Sequence, residues 1–138
     1  MKLRRNAKIE LLRTVPLFSG CSKKELGQIS SLGDELFQPE GSELITEGVK
    51  GREFFVLIDG TVEARRHGRK VASFGAGNFF GEIALLTESP RTATVVAVTQ
   101  VRLLVISGQS FRRLVGDTPS IQGKVLTALA DRMAPTVA

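Results

Sequence analysis

The chain has 138 residues and contains no tryptophan, no tyrosine, one cysteine and one histidine. A single cysteine, Cys21, excludes an intramolecular disulfide and fits a reducing compartment, so a cytoplasmic location is expected. The lone histidine, His67, excludes the clustered imidazoles of a metal-dependent jelly-roll enzyme and leaves no independent Ser–His–Asp set. No run of about 18 apolar residues occurs, so no membrane span is expected. The basic start MKLRRNAK is not followed by an apolar signal core. Two basic clusters, Lys2-Arg4-Arg5-Lys8 and Arg65-Arg66-His67-Gly68-Arg69-Lys70, suit nucleic acid or lipid headgroups by charge, but the absence of any aromatic residue within them gives base stacking little support, and a solvated face is expected. Gly75, Gly77 and Gly81 are spaced GxGxxxG with phenylalanine at position 80, so they are not a dinucleotide fingerprint. Gly123-Lys124-Val125 lacks the glycine spacing and the Ser/Thr of a P-loop.

What remains is a globular composition, with 42% hydrophobic and 24% charged residues, of a length that suits one domain. The formal charge of +5 favours anionic partners without naming one.

Both ends follow a helical pattern and the middle a strand pattern. Ile9 and Leu12 share a helical face before Pro16 stops the helix. Ser22-Lys-Lys-Glu25 is a capping box that opens a second helix carrying Leu26 and Ile29. From Leu36 to Ile106, short β-rich runs alternate with glycine and acidic turns. Phe54–Ile58 is a strongly apolar strand. Asp59-Gly60 predicts a hairpin to Thr61–Arg66, and His67-Gly68 a second hairpin to Arg69–Phe74. Arg91–Val98 and Val101–Ile106 are expected to pair. Many short strands with close turns predict a mainly β fold, an antiparallel jelly roll flanked by helices. Ser107 caps a helix expected to end at Gly116, and Thr118-Pro119 opens the last one. There Ile121, Val125, Leu126, Leu129 and Met133 form an apolar face suited first to packing and second to covering a site. The expected organisation is one domain over residues 1–138: a helical segment 1–31, a β-roll 32–106, and C-terminal hinge and lid helices 107–134.

The segment with most chemistry is Phe80–Val95, FGEIALLTESPRTATV. Gly81 lets a ligand approach the backbone closely. Glu82 to Leu86 suit one short turn of helix, whose free N–H groups favour an anion. Arg91 offers a charged fork for two phosphate oxygens, and Thr92 adds a hydroxyl. Glu82 would repel an anion unless it had a hydroxyl donor of its own to bind, and a ribose 2′-OH beside a cyclic phosphate supplies one.

This segment closely resembles the phosphate-binding cassette of cyclic nucleotide-binding domains, as in protein kinase A regulatory subunits, cyclic-nucleotide-gated channels and bacterial catabolite-activator-type regulators. Leu17-Phe18-Ser-Gly20, Glu47-Gly48 and Phe55-Val-Leu-Ile-Asp-Gly60 resemble earlier landmarks of that family. The resemblance implies an eight-stranded antiparallel jelly-roll β-barrel with N-terminal helices and two C-terminal helices. It implies that the amides of Gly81, Ile83 and Ala84 hold a phosphate with Arg91 and Thr92, and that Glu82 takes the 2′-OH. Val62, Val71 and Phe80 would be apolar walls, and Leu129 and Arg132 contacts from the lid helix. The expected function is that of a non-catalytic sensor with no cofactor, which binds a cyclic nucleotide and signals to a protein effector through its C-terminal helices. The alternative is the ligand-binding domain of a catabolite-activator-type regulator lacking or separated from its DNA-binding domain. DNA contact is not expected, because the chain stops at Ala138 with no helix-turn-helix domain after the lid helix. Thr92 is compatible with cGMP, since its hydroxyl can reach a syn guanine amino group, but channel-type members with the same threonine also take cAMP. The reading favours cAMP over cGMP and fixes no oligomeric state.

Overall fold

The computed structural model describes residues 5–133, with side chains described for residues 7–132. The basic residues Lys2 and Arg4, and the Met133 side chain, lie outside the described part. Among the described residues the N-terminal helices are α1 (Arg5–Arg13) and α2 (Lys23–Leu32), with a 3-10 turn at Pro16–Phe18 between them. The strands are β1 (Gly33–Gln38), β2 (Glu43–Ile45), β3 (Glu53–Asp59), β4 (Val62–Arg66), β5 (Arg69–Phe74) and β6 (Phe79–Phe80). The short helix α3 (Glu82–Thr87) follows, then β7 (Thr94–Ala97), β8 (Val101–Ser107), α4 (Gly108–Asp117) and α5 (Pro119–Met133).

The expected caps form. Ser22 accepts from the Glu25 amide while the Glu25 carboxylate accepts from the Ser22 amide, and Ser107 accepts from the Ser110 amide. Helix α4 runs through Gly116 to Asp117 and stops at Thr118. The helix thus runs past the expected stop at Gly116, because the restrained residue before Pro119 ends it instead.

The strands form two antiparallel four-stranded sheets, ordered β1-β8-β3-β6 and β2-β7-β4-β5. This is a jelly roll, but no ladder among the described residues joins the sheets into the expected closed barrel. Two expected hairpins are also absent. Strand β3 pairs with β6 and β8, and β4 pairs with β5 and β7. Asp59-Gly60 therefore turns the chain from one sheet into the other, with Gly60 at φ 96°. Likewise β7 pairs with β2 and β4, not β8. Turn chemistry bends the chain but does not choose the strand that pairs next, and β3 and β8 instead pair with each other, far apart in sequence. The His67-Gly68 hairpin between β4 and β5 does form.

Alternation along β3 divides the core. Phe54 and Val56 join Ile9, Leu12, Leu26, Ile29, Phe111 and Ile121 under the helices. Phe55 and Leu57 join Val62, Phe80, Val95 and Leu103 between the sheets. Phe54 stacks on Phe111 with ring centroids 4.3 Å apart, and Phe55 on Phe80 at 5.1 Å. Two elements are thereby fixed on the helical side of the first sheet: α3, through buried Leu85, and α5, through Ile121 and Val125. No described helix is long and apolar enough to cross a membrane.

Candidate functional site

Strand β6 delivers Phe79 and Phe80 into the two halves of the core, and the backbone then turns at Gly81, with φ 93° and ψ −1°. That left-handed conformation suits glycine. A Cβ there would stand 3.0 Å from Arg91 Nη1 and 3.1 Å from the Glu53 carbonyl. The turn starts α3 with Gly81 as its cap, without any side chain satisfying the first-turn amides. Those amides carry the positive end of the helix.

Arg91 is set in place by backbone bonds. Its N–H donates to Val49 O and its carbonyl accepts from the Gly48 N–H, each at 2.8 Å. The side chain is buried and donates from Nη1 to Gly81 O at 2.8 Å and from Nη2 to Glu53 O at 2.6 Å. Among the described residues it makes no ion pair. Burial pushes its pKa below the ordinary arginine value, with the nearby Glu53 and Glu82 charges opposing that shift.

Glu82, only 1% exposed, is held by α5. Arg132 Nη1 donates to both carboxylate oxygens, at 2.6 Å to Oε1, and Nη2 donates to Phe79 O at 2.7 Å. The same guanidinium lies over the Phe74 and Phe79 rings, 4.7 and 4.9 Å from their centroids. A buried charge pair of this kind is stable only with its remaining donors satisfied, which Phe79 O achieves.

These groups surround one cavity of about 1030 Å³. Of the residues singled out in the sequence, Phe80, Gly81, Glu82, Ile83, Ala84, Arg91, Thr92, Val71 and Arg132 line it. Two do not. Val62 is wholly enclosed between the sheets, on the same face as lining residue Ala64 but deeper. Leu129 is half-buried one turn before Arg132 and contributes no wall. The expected lid arginine meets Glu82 directly. The lining also includes Arg66, Phe74, Ala93 and Asp131, which the sequence reading passed over. Ala93 lies within the cassette segment, just before β7, but the motif signals neither Arg66, Phe74 nor Asp131, which come from β4, β5 and α5. The only prior signal was the basic hairpin, where Arg66 looked like a solvated charge. Among the described residues no three His, Cys, Asp or Glu side chains group as a metal site.

The cavity thus brings together a buried guanidinium, Arg91, the uncapped start of α3, a buried carboxylate, Glu82, and apolar walls. The family model described as "Cyclic nucleotide-binding domain" matches residues 36–118, and the chain belongs to that family. A curated relative, the cAMP-dependent protein kinase regulatory subunit of Aspergillus fumigatus, is 38% identical over 112 residues, 80% of this chain and 27% of the relative. The regulatory domain of Toxoplasma gondii PKA, solved with cAMP, superposes with a TM-score of 0.79 at 26% identity, covering 91% of this chain and 50% of that one. The regulatory subunit of a cAMP-independent protein kinase A from Trypanosoma cruzi, solved with guanosine, gives 0.80 at 28% identity, covering 92% and 46%. The chain thus spans about a quarter of the curated relative and half of each solved chain.

Proposed function

We propose that the cavity binds a 3′,5′-cyclic purine nucleotide, cAMP in the first instance, and that the domain regulates a protein effector without catalysing a reaction. The observation that carries this reading is Arg91: a buried guanidinium lining a cavity, with two carbonyl partners and no ion pair among the described residues. A buried cation without a counter-ion is costly, and a singly charged phosphodiester offsets that cost. In this reading the amides of Gly81, Ile83 and Ala84 take the remaining phosphate oxygens with Thr92. Glu82 takes the 2′-OH, and Phe80 and Val71 flank the nucleotide. Relatives named as cAMP-dependent and the cAMP-containing Toxoplasma neighbour support the choice of ligand. Glu82 is also where Arg132 anchors α5. A ligand hydroxyl arriving on that carboxylate alters the tie, and α5 movement reports occupancy.

Thermal unfolding with cAMP, cGMP, adenosine and guanosine tests the reading. At about 100 times its dissociation constant a ligand adds about 2.7 kcal/mol of stability. Both cyclic nucleotides are expected to stabilise and the nucleosides, lacking the anion, to do far less. Arg91→Ala should remove most of the shift. If neither cyclic nucleotide moves the transition, or the nucleosides match them, the reading is wrong.

A further inference from the structure

Arg91 is held between two glycines. A Cβ at Gly81 would stand 3.0 Å from its Nη1, and a Cβ at Gly51 would stand 3.0 Å from its Cζ and Nε. The two positions are unlike. Gly81 has a positive φ, which favours glycine whatever surrounds it, whereas Gly51 does not. The backbone at Gly51 is open to alanine, so what matters there is space. A Cβ at Gly51 would also lie 2.8 Å from the Ala84 Cβ, in the first turn of α3. The nearest atoms that a methyl group would meet thus belong to two residues, and both line the cavity.

The segment around Gly51 is fastened on both sides. Lys50 bridges Pro90, and the Val49 carbonyl accepts from the Arg91 N–H. The Arg52 carbonyl accepts from the Gly108 N–H at the start of α4. Glu53 pairs with Ser107 in the first sheet, and its carbonyl is the acceptor for Arg91 Nη2. A side chain at position 51 therefore displaces the guanidinium and not the loop.

We propose that Gly51 is a positioning residue of the anion site: by carrying no side chain it lets the Arg91 guanidinium lie against the β2–β3 loop and reach the Gly81 and Glu53 carbonyls together. That the anion is the phosphate of a cyclic nucleotide rests on the reading above.

The test is calorimetric titration of cAMP into the wild type, Gly51→Ala, Ala84→Gly and the double variant. The Arg91 Nε–Hε resonance is followed in parallel by nuclear magnetic resonance without nucleotide, and its loss in Arg91→Ala identifies it. Gly123→Ala is the control, because a Cβ there meets nothing within 4 Å. Gly51→Ala should shift the resonance and weaken cAMP about tenfold or more, the usual worth of a hydrogen bond to a charged group. Gly123→Ala should do neither. The loss should be as large in the Ala84→Gly background, where the contact with α3 is relieved and the contact with Arg91 is not. A loss that vanishes there would place the effect on α3 and overturn the inference. An unmoved resonance or an unchanged affinity also overturns it. So does a Gly51→Ala chain that no longer melts cooperatively, because the glycine is then a requirement of the fold. If the wild type binds no cAMP, the ligand reading fails, and the resonance still decides whether Gly51 sets Arg91.

Discussion

Gly81 shows how much depends on one absent methyl group. Its positive φ strains any other residue, and a Cβ would crowd both Arg91 Nη1 and the Glu53 carbonyl that Arg91 holds. Gly81→Ala is expected to lower stability by about 1–3 kcal/mol from backbone strain and to weaken cyclic-nucleotide binding more than the fold. Urea unfolding beside a ligand titration checks this, and unchanged binding would show that the turn does not set the site. Cys21 makes a different prediction. Burial pushes its thiol pKa up, a Ser120 hydrogen bond opposes this, Glu25 adds to it and Lys124 opposes it. The thiol is therefore protonated in the folded state at pH values where an unfolded cysteine has ionised. A raised folded pKa contributes stability that is present below the unfolded pKa and is lost as pH rises through the folded one. Alkylation by iodoacetamide at about pH 8.5, near the free-thiol pKa, should be slower in the native protein than in urea. Equal rates would contradict the direction of the shift.

Among the elements, α5 has the most specific tie to the site. Its Arg132 reaches Glu82, 50 residues earlier in the chain, and Lys124 donates to Pro16 O at 2.7 Å. One helix thus touches both the cassette and the N-terminal turn. Arg132→Ala leaves Glu82 buried without its cation, and a broken buried pair costs about 3 kcal/mol. The apo melting temperature should fall, and hydrogen exchange in residues 126–132 should rise to solvent-like rates while β3 and β8 stay protected. Unchanged exchange would mean that α5 is held by packing at Ile121 and Val125 alone.

At this scale the sequence was legible where signals are local. The capping box of Ser22 and Glu25, the cap at Ser107, the Pro119 start and the His67-Gly68 hairpin all depend on neighbours within a few residues. Asp59-Gly60 gave a correct turn and an incorrect pairing, because turn chemistry fixes the bend but not the sheet that receives the next strand. The same holds for β7 and β8. The cassette residues were legible because one continuous segment carries them. Arg66 and Phe74 were not, because the resemblance pointed to β4 and β5 only through Val62 and Val71 and carried no signal for their neighbours. Val62, named as a wall from the family resemblance, is buried between the sheets, because alternation shows the inward face but not the depth.

The whole molecule is organised around a sheet that serves two cores. Strand β3 gives Phe54 to the helical side and Phe55 to the space between the sheets, and β8 divides Ile106 and Leu103 in the same way. Because each strand belongs to both clusters, neither core can melt without removing the wall of the other, and a single cooperative transition follows. The two sides differ in what they touch. Phe54 stacks on Phe111 of α4, while Phe55 stacks on Phe80, which lines the cavity. Phe54→Leu and Phe55→Leu should each destabilise by roughly 1–2 kcal/mol, each with one transition by fluorescence of a bound dye and by circular dichroism. Only Phe55→Leu should also weaken cyclic-nucleotide binding, since loss of its ring loosens Phe80 and the adjoining Gly81 turn. Split transitions would refute the shared-sheet account. Equal binding losses would show that the site senses global stability and not the Phe55–Phe80 stack.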